Sequence, residues 1–377
     1  MKRLFGFLCV IALCFNSVQA AELSLSRVAL TAKWQARVQA LLDQGKLPLI
    51  DMETSLQAGQ VDDYVPGVFS TMDELAIAMM SPDGYQDAKD AQPGDKRGGY
   101  RWSTYILDLV NTHPDHFIPT ANGGTNNNWL KQKGGNPTDF VDQMEAAVRT
   151  GQYFSMGELD FRHYMSGSQC KKGKTERDSS IALNSANGHR IFKLSAETQV
   201  PFVVHLEPED TPLAQLEEML AAYPAAKVIV AHFGQIRHPN AQTGFTPALV
   251  RRLLETYPNL TYDLANGEPN RKYKCSGLGN DQTIKADNAL WQGQPGKQRD
   301  TLKPEYLAIL AEFSTRFVFA TDYGGGRKPL PQYLRDKHAN FSRLIGDLPE
   351  DARHNIAYRN AWKLLTGKTW ANREATR

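Results

Sequence analysis

Short apolar runs alternate with longer amphipathic stretches along most of the chain. The runs are "LPLIDME" (47–53), "LAIAMMS" (75–81), "HFIPTAN" (116–122), "YFSMGELDF" (153–161), "PFVVHLE" (201–207), "KVIVAHFG" (227–234), "LTYDLAN" (260–266) and "RFVFATDY" (316–323). They are rich in Val, Ile, Phe and Tyr and are apolar on both faces, the pattern of parallel strands covered on each side. Between them lie helical stretches. "PTDFVDQMEAAVRTG" has Pro in its first turn and ends on Gly, and "PLAQLEEMLAAYP" and "TPALVRRLLETYP" each close on Pro. Eight strand–helix units in one chain predict an α/β fold, a single-domain (β/α)8 TIM barrel over residues 46–370. A helical extension over 21–45 precedes it. An open doubly wound sheet fits the same alternation, but no Gly-rich dinucleotide fingerprint follows an early strand. Two connections are long, from Phe161 to about Asn187 and from Gly267 to about Lys303. Both leave the C-terminal end of a strand, where long loops build an active-site rim.

The first twenty residues do not belong to that pattern. "MKRLFGFLCVIALCFNSVQA" has two cations, an apolar run and a small-X-small ending. This is the form of a secretory signal peptide cleaved after Ala20, and the apolar run is short for a membrane span. A periplasmic or secreted mature protein with no membrane segment is expected. Of four cysteines, Cys9 and Cys14 would leave with the signal. Cys170 and Cys275 would remain, one in each long loop, and in an oxidising compartment a disulfide between them is expected over two free thiols.

Composition adds little. Hydrophobic residues make up 41% of the chain, enough for a large core, and the formal net charge of +2 favours no class of partner. The strand ends carry the chemistry. The first run holds Asp51 and Glu53, the fourth Glu158, the fifth His205, the sixth His232 and the eighth Asp322. In a TIM barrel such ends converge on one mouth. A single polar residue there can be a satisfied core group, but several at corresponding positions point to a site.

"LIDMETS", "GELDF", "VVHLE", "VIVAHFG", "FATDY" and "RNAWKLL" together resemble the amidohydrolase superfamily, and within it the amidohydrolase-related branch of metal-dependent TIM-barrel hydrolases and decarboxylases. The resemblance implies one divalent metal ion, zinc first, with manganese or magnesium also compatible with the donors. It implies Glu53, His205, Asp322 and Glu158 as metal ligands. It implies Asp322 as the base that takes a proton from water, and His232 as the group that polarises a substrate carbonyl. The metal would lower the pKa of its water. The chain departs from the family at "DMETS", where Glu53 and Ser55 occupy the positions of a His-X-His pair. A carboxylate can replace an imidazole at a metal, whereas a serine hydroxyl is a poor ligand near neutral pH.

His163, Arg237, His238 and Arg327 lie just past strand ends and are candidate contacts to a small-molecule substrate. Arg162, Lys171, Lys172, Lys174, Arg177, Arg271, Lys272 and Lys274 would make the rim basic and suit an anionic substrate. Nucleic acid is not the expected partner, and the sequence does not give an oligomeric state. Three functions fit: a metal-dependent hydrolase of an amide, ester or lactone; a metal-dependent decarboxylase; and a ligand-binding barrel that has lost its metal.

Overall fold

The computed structural model describes residues 22–57, 61–85, 104–124, 129, 139–165, 178–236, 244–265, 272–273, 284–285, 290–292, 301–324 and 330–371. The expected signal peptide, Cys170, Cys275, Arg237, His238, Arg327 and most of the rim cations lie outside these residues. Eight parallel strands form a closed ring. They are β1 (Leu49–Gln57), β2 (Ile77–Tyr85), β3 (Thr120–Ala121), β4 (Ser155–His163), β5 (Phe202–Leu206), β6 (Val228–Val230), β7 (Leu260–Asp263) and β8 (Phe317–Val318). β1 pairs with β2, and β3 through β8 pair in chain order. The β2–β3 seam is a bridge between Met80 and Phe117. There the Met80 N–H donates to His116 O (2.9 Å) and the Ile118 N–H donates to Met80 O (2.8 Å). The ring closes where the chain beyond β8 meets β1. Thr54 registers with Tyr323, and Met52 N–H donates to Phe319 O at 3.0 Å. The expected TIM barrel is present, with all eight apolar runs in its wall.

The helices follow from amphipathic spacing. α4 (Phe140–Arg149) buries Phe140, Val141, Met144 and Val148 on one face, each contributing roughly 1.5–3 kcal/mol by leaving water. α5 (Ala186–Thr198) begins where the Ser185 side chain accepts the Gly188 N–H, and it stops at Gln199 in the left-handed conformation. α7 (Pro247–Thr256) is capped by Thr246 and has Pro in its first turn.

α1 (Arg27–Asp43) decides which end of the barrel is open. Its Leu30, Trp34, Val38 and Leu41 are buried. Trp34 Nε1–H donates to Pro114 O, and Arg37 Nε–H donates to Ala78 O. Arg27 donates to Tyr153 O. These carbonyls lie before β3, at the start of β2 and before β4, so α1 covers the N-terminal end of the barrel. The opposite end is left for the rim. There Arg162 of β4 registers with Ser180 in a short antiparallel strand. Two further two-stranded ladders pair residues 272–273 with 284–285 and 291–292 with 301–302. Asn360, from the motif "RNAWKLL", donates to Ser314 O and Phe317 O at 2.7 Å each and ties the last helical run to β8.

Candidate metal centre

Glu53, Glu158, His205, His232 and Asp263 are each at most 7% exposed and sit on β1, β4, β5, the end of β6 and β7. Among the described residues, two groups of donor atoms lie within 4.8 Å of one another: Glu158, His205 and His232; and Glu53, His232 and Asp263. His232 is common to both. Its backbone is left-handed (φ 58°), a conformation that L residues rarely adopt and that functional sites often hold. β7 fixes it there. Asp263 Oδ1 accepts the His232 N–H at 2.8 Å and the Ala265 N–H at 3.0 Å. His232 Nδ1 lies 2.9 Å from Ala265 O. A carbonyl only accepts, so Nδ1 carries hydrogen and Nε2 is the ring atom left to face the site.

That nitrogen faces acceptors. Glu158 Oε1 is 3.3 Å away and Glu53 Oε1 is 3.6 Å away. His205 Nδ1 meets the same Glu158 oxygen at 2.6 Å, while its Nε2 is 3.4 Å from Glu207 Oε1. The rings of His163, His205 and His232 form a row, with centroids 4.6 and 4.7 Å apart. Glu158 reaches the row because Gly157 turns the strand with φ 93°, where a Cβ would lie 2.5 Å from Val203 O.

The electrostatics call for positive charge. Burial, then the charges of Asp263, Glu158 and Asp322, push Glu53 well above the usual carboxylate range. Burial also raises Asp263. Burial would raise Glu158 too, but the charges and hydrogen bonds of His205 and His232 outweigh it and hold Glu158 well below that range. Among the described residues, both carboxylate oxygens of Glu53 and Oδ2 of Asp263 are buried with no N–H or hydroxyl donating to them, and the two carboxyls can bridge each other only by sharing a proton. A buried carboxylate left this way is costly unless a proton or a cation completes it.

A family model for amidohydrolases matches residues 120–366, about two thirds of the chain. The chain belongs to the amidohydrolase family. An uncharacterized TIM-barrel protein from Bordetella bronchiseptica superposes on this amidohydrolase with a TM-score of 0.52 at 13% identity, over 85% of this chain and 98% of its own. That likeness shows the same fold. A dihydroxybenzoic acid decarboxylase from Polaromonas, solved with manganese and the inhibitor 2-nitroresorcinol, gives 0.44 at 14% identity over 84% and 96% of the two chains. A 2,6-dihydroxybenzoate decarboxylase from Rhizobium gives 0.42 at 12% identity over 84% and 98%. No curated protein sequence matches this amidohydrolase.

The other residues singled out in the sequence fall in different places. Asp322 is left-handed (φ 50°) and lies outside both donor groups. Its Oδ2 is 3.8 Å from Lys337 Nζ on α9 (Leu330–Ile345), and its backbone carbonyl accepts from the Tyr333 hydroxyl. Asp51 braces the ring. Its Oδ1 accepts the Thr321 N–H at 3.0 Å, and its Oδ2 contacts Thr321 Oγ1 at 2.6 Å. Arg162 is engaged by Asp178 (3.0 Å), Glu209 (3.3 Å) and Ser179 O (2.9 Å), which occupies a guanidinium that the sequence offered to an anionic substrate. Asp263 was not singled out, although "LTYDLAN" ends a strand as the other candidates do. Asp83, fully buried at the end of β2, was also missed. Burial, then the charge of Glu158, pushes it up to about 8, against a pull downward from Ser55.

Proposed function

We propose that the chain is a metal-dependent hydrolase of a small amide, ester or lactone, exported from the cytoplasm by a leader that is then cleaved. The observation that carries the reading is the convergence of His232 Nε2, His205 Nδ1 and buried carboxylates at the open end of the barrel. The buried carboxylates of Glu53 and Asp263 fit a cation, because three acidic groups packed around two imidazoles are balanced by added positive charge, whether a shared proton or a metal ion. Glu158, His205 and His232, with Glu53 and Asp263 beside them, would hold a divalent ion. Imidazole with carboxylate suits zinc, and the share of carboxylate also suits manganese. When bound, such an ion supplies Lewis acidity and lowers the pKa of water.

The chain's own groups do the rest. Asp322 accepts the proton that water loses on attack, and Lys337 gives its carboxylate a cationic partner at 3.8 Å. Asp322→Asn should lower turnover by about 10²–10⁴-fold, the range of a general base, with folding intact. A panel of amides, esters and lactones assayed with metal-loaded protein provides the readout. Full turnover by the variant on a confirmed substrate refutes the assignment. The persistence of a convergent donor set supports an enzyme over a barrel that has lost its site. One feature favours a second reading: Glu53 makes the first-strand donor a carboxylate instead of an imidazole. Release of carbon dioxide from aromatic acids, with no hydrolysis across the panel, would identify a decarboxylase.

A further inference from the structure

Lys337 stands where an apolar residue is expected. On α9, Leu334, Phe341, Leu344 and Ile345 are buried, and Lys337 falls on the same stripe, three residues after Leu334 and four before Phe341. Phe341 packs on Phe319 just beyond β8, with ring centroids 4.5 Å apart, so this stripe faces the barrel. Lys337 is 9% exposed, and among the described residues no other lysine or arginine is as buried. A cation in such a place is costly without an opposite charge. Asp322 supplies it, with Oδ2 3.8 Å from Nζ. That contact is too long for a hydrogen bond, so it acts through charge. Packing alone does not call for a lysine here, because a Met of similar length would fill the stripe.

The main chain of Asp322 is held on two sides. Its N–H donates to Glu53 O at 3.0 Å, and its carbonyl accepts from the Tyr333 hydroxyl at 3.3 Å. Tyr333 lies one turn before Lys337 on the same helix, with its ring 5.5 Å from Nζ. One helix therefore reaches both the backbone and the charge of Asp322. What is left to fix is the direction of the side chain. The charge of Asp322 is felt at Glu53, and repulsion between two carboxylates turns the more exposed one toward solvent. Resting on the hydrolase reading above, in which Asp322 takes the proton from water, we infer that Lys337 is a positioning residue, kept at a core position of α9 to hold the Asp322 carboxylate in one direction. It acts through Asp322, and the fold does not need it. Asp322 keeps access to water, so replacing Lys337 by Met leaves no fully buried charge behind.

The test uses the full chain with saturating Mn²⁺, and 4-nitrophenyl acetate, 4-nitroacetanilide and dihydrocoumarin as ester, amide and lactone probes. Lys337→Met should melt at or above the wild-type temperature, keep KM within about threefold and lose at least about tenfold in kcat, in the range that misplacing a reacting group costs. Lys337→Arg keeps the charge and should recover most of that loss. In an Asp322→Asn background, Lys337→Met should change kcat by less than about twofold, because a residue that acts through Asp322 has no carboxylate left to hold. Should Lys337→Met fail to fold, Lys337→Gln is read in its place. Wild-type kcat in Lys337→Met overturns the inference, as does a loss that persists in the Asp322→Asn background or that arginine does not repair. Full turnover by Asp322→Asn overturns the choice of base and the inference with it. If the wild type turns over none of the probes, the hydrolase reading fails by itself, and crystal structures of wild type and Lys337→Met decide the positioning. An Asp322 carboxylate in the same place in both overturns it, and one displaced in Lys337→Met sustains it.

Discussion

Asp51 offers a sharp test of how the barrel is closed. It is fully buried in β1, and it accepts from Glu53 N–H (3.3 Å) and Thr321 N–H (3.0 Å) and contacts Thr321 Oγ1 (2.6 Å). Asp51→Ala leaves two buried amides and a hydroxyl without this partner. At about 1–3 kcal/mol for each unsatisfied group, and with the hydroxyl free to rotate, the cost is roughly 3–5 kcal/mol. Asp51→Asn is different. Its oxygen still accepts both amides, and its amide nitrogen can donate to Thr321 Oγ1, so below about pH 4 it should lie within about 1 kcal/mol of wild type. The two diverge with pH. Burial raises Asp51 to about 8 in the fold, against about 3.9 in the unfolded chain. Between those values the native state holds the extra proton, so its stabilisation is fully present below about pH 4 and is lost as pH rises toward 8. The wild type should lose up to about 1.4 kcal/mol per pH unit from this group across that window, and Asp51→Asn should lack that slope. Urea unfolding of metal-free protein at pH 5, 6, 7 and 8 measures it. Parallel curves for wild type and Asp51→Asn would show that Asp51 is already ionised in the fold, and would refute the reasoning.

Other outcomes follow from the same geometry. Gly157→Ala combines φ 93° with a Cβ 2.5 Å from the rigid Val203 carbonyl, so it should cost about 1–3 kcal/mol in thermal or urea unfolding and weaken Mn²⁺ binding by displacing Glu158; wild-type stability with wild-type affinity would contradict this. Saturating Mn²⁺ or Zn²⁺ at a hundred times its dissociation constant should stabilise the fold by about 2.7 kcal/mol, read as a rise in the melting temperature that chelator reverses. Amino-terminal sequencing of protein expressed with its leader should begin at Ala21, and recovery of Met1 from the soluble exported fraction would reject cleavage.

The order of apolar runs was enough to predict eight strands, and their lengths and the helices between them were enough for a barrel, because periodicity and capping are properties of neighbouring residues. The same reading named Glu53, Glu158, His205, His232 and Asp322, since each stands near the end of a run. It was silent on Asp263 and Asp83, which stand at strand ends too but carry no motif. It offered Asp51 as chemistry where the ring uses it as a brace, and it gave no reason to notice Lys337, which the helix after the eighth strand brings beside Asp322. Only closure of the ring decided these points. Register shifts in the β1–β2 and β4–β5 ladders determine which side chains face the mouth, and no local pattern encodes a register between strands remote in sequence. Which ring nitrogen of His232 faces the site depends on the carbonyl of Ala265, just past another strand. The sequence by itself determined the set of donors. The tertiary structure decided which of them converge, because that rests on contacts between segments as far apart as Asp51 and Thr321.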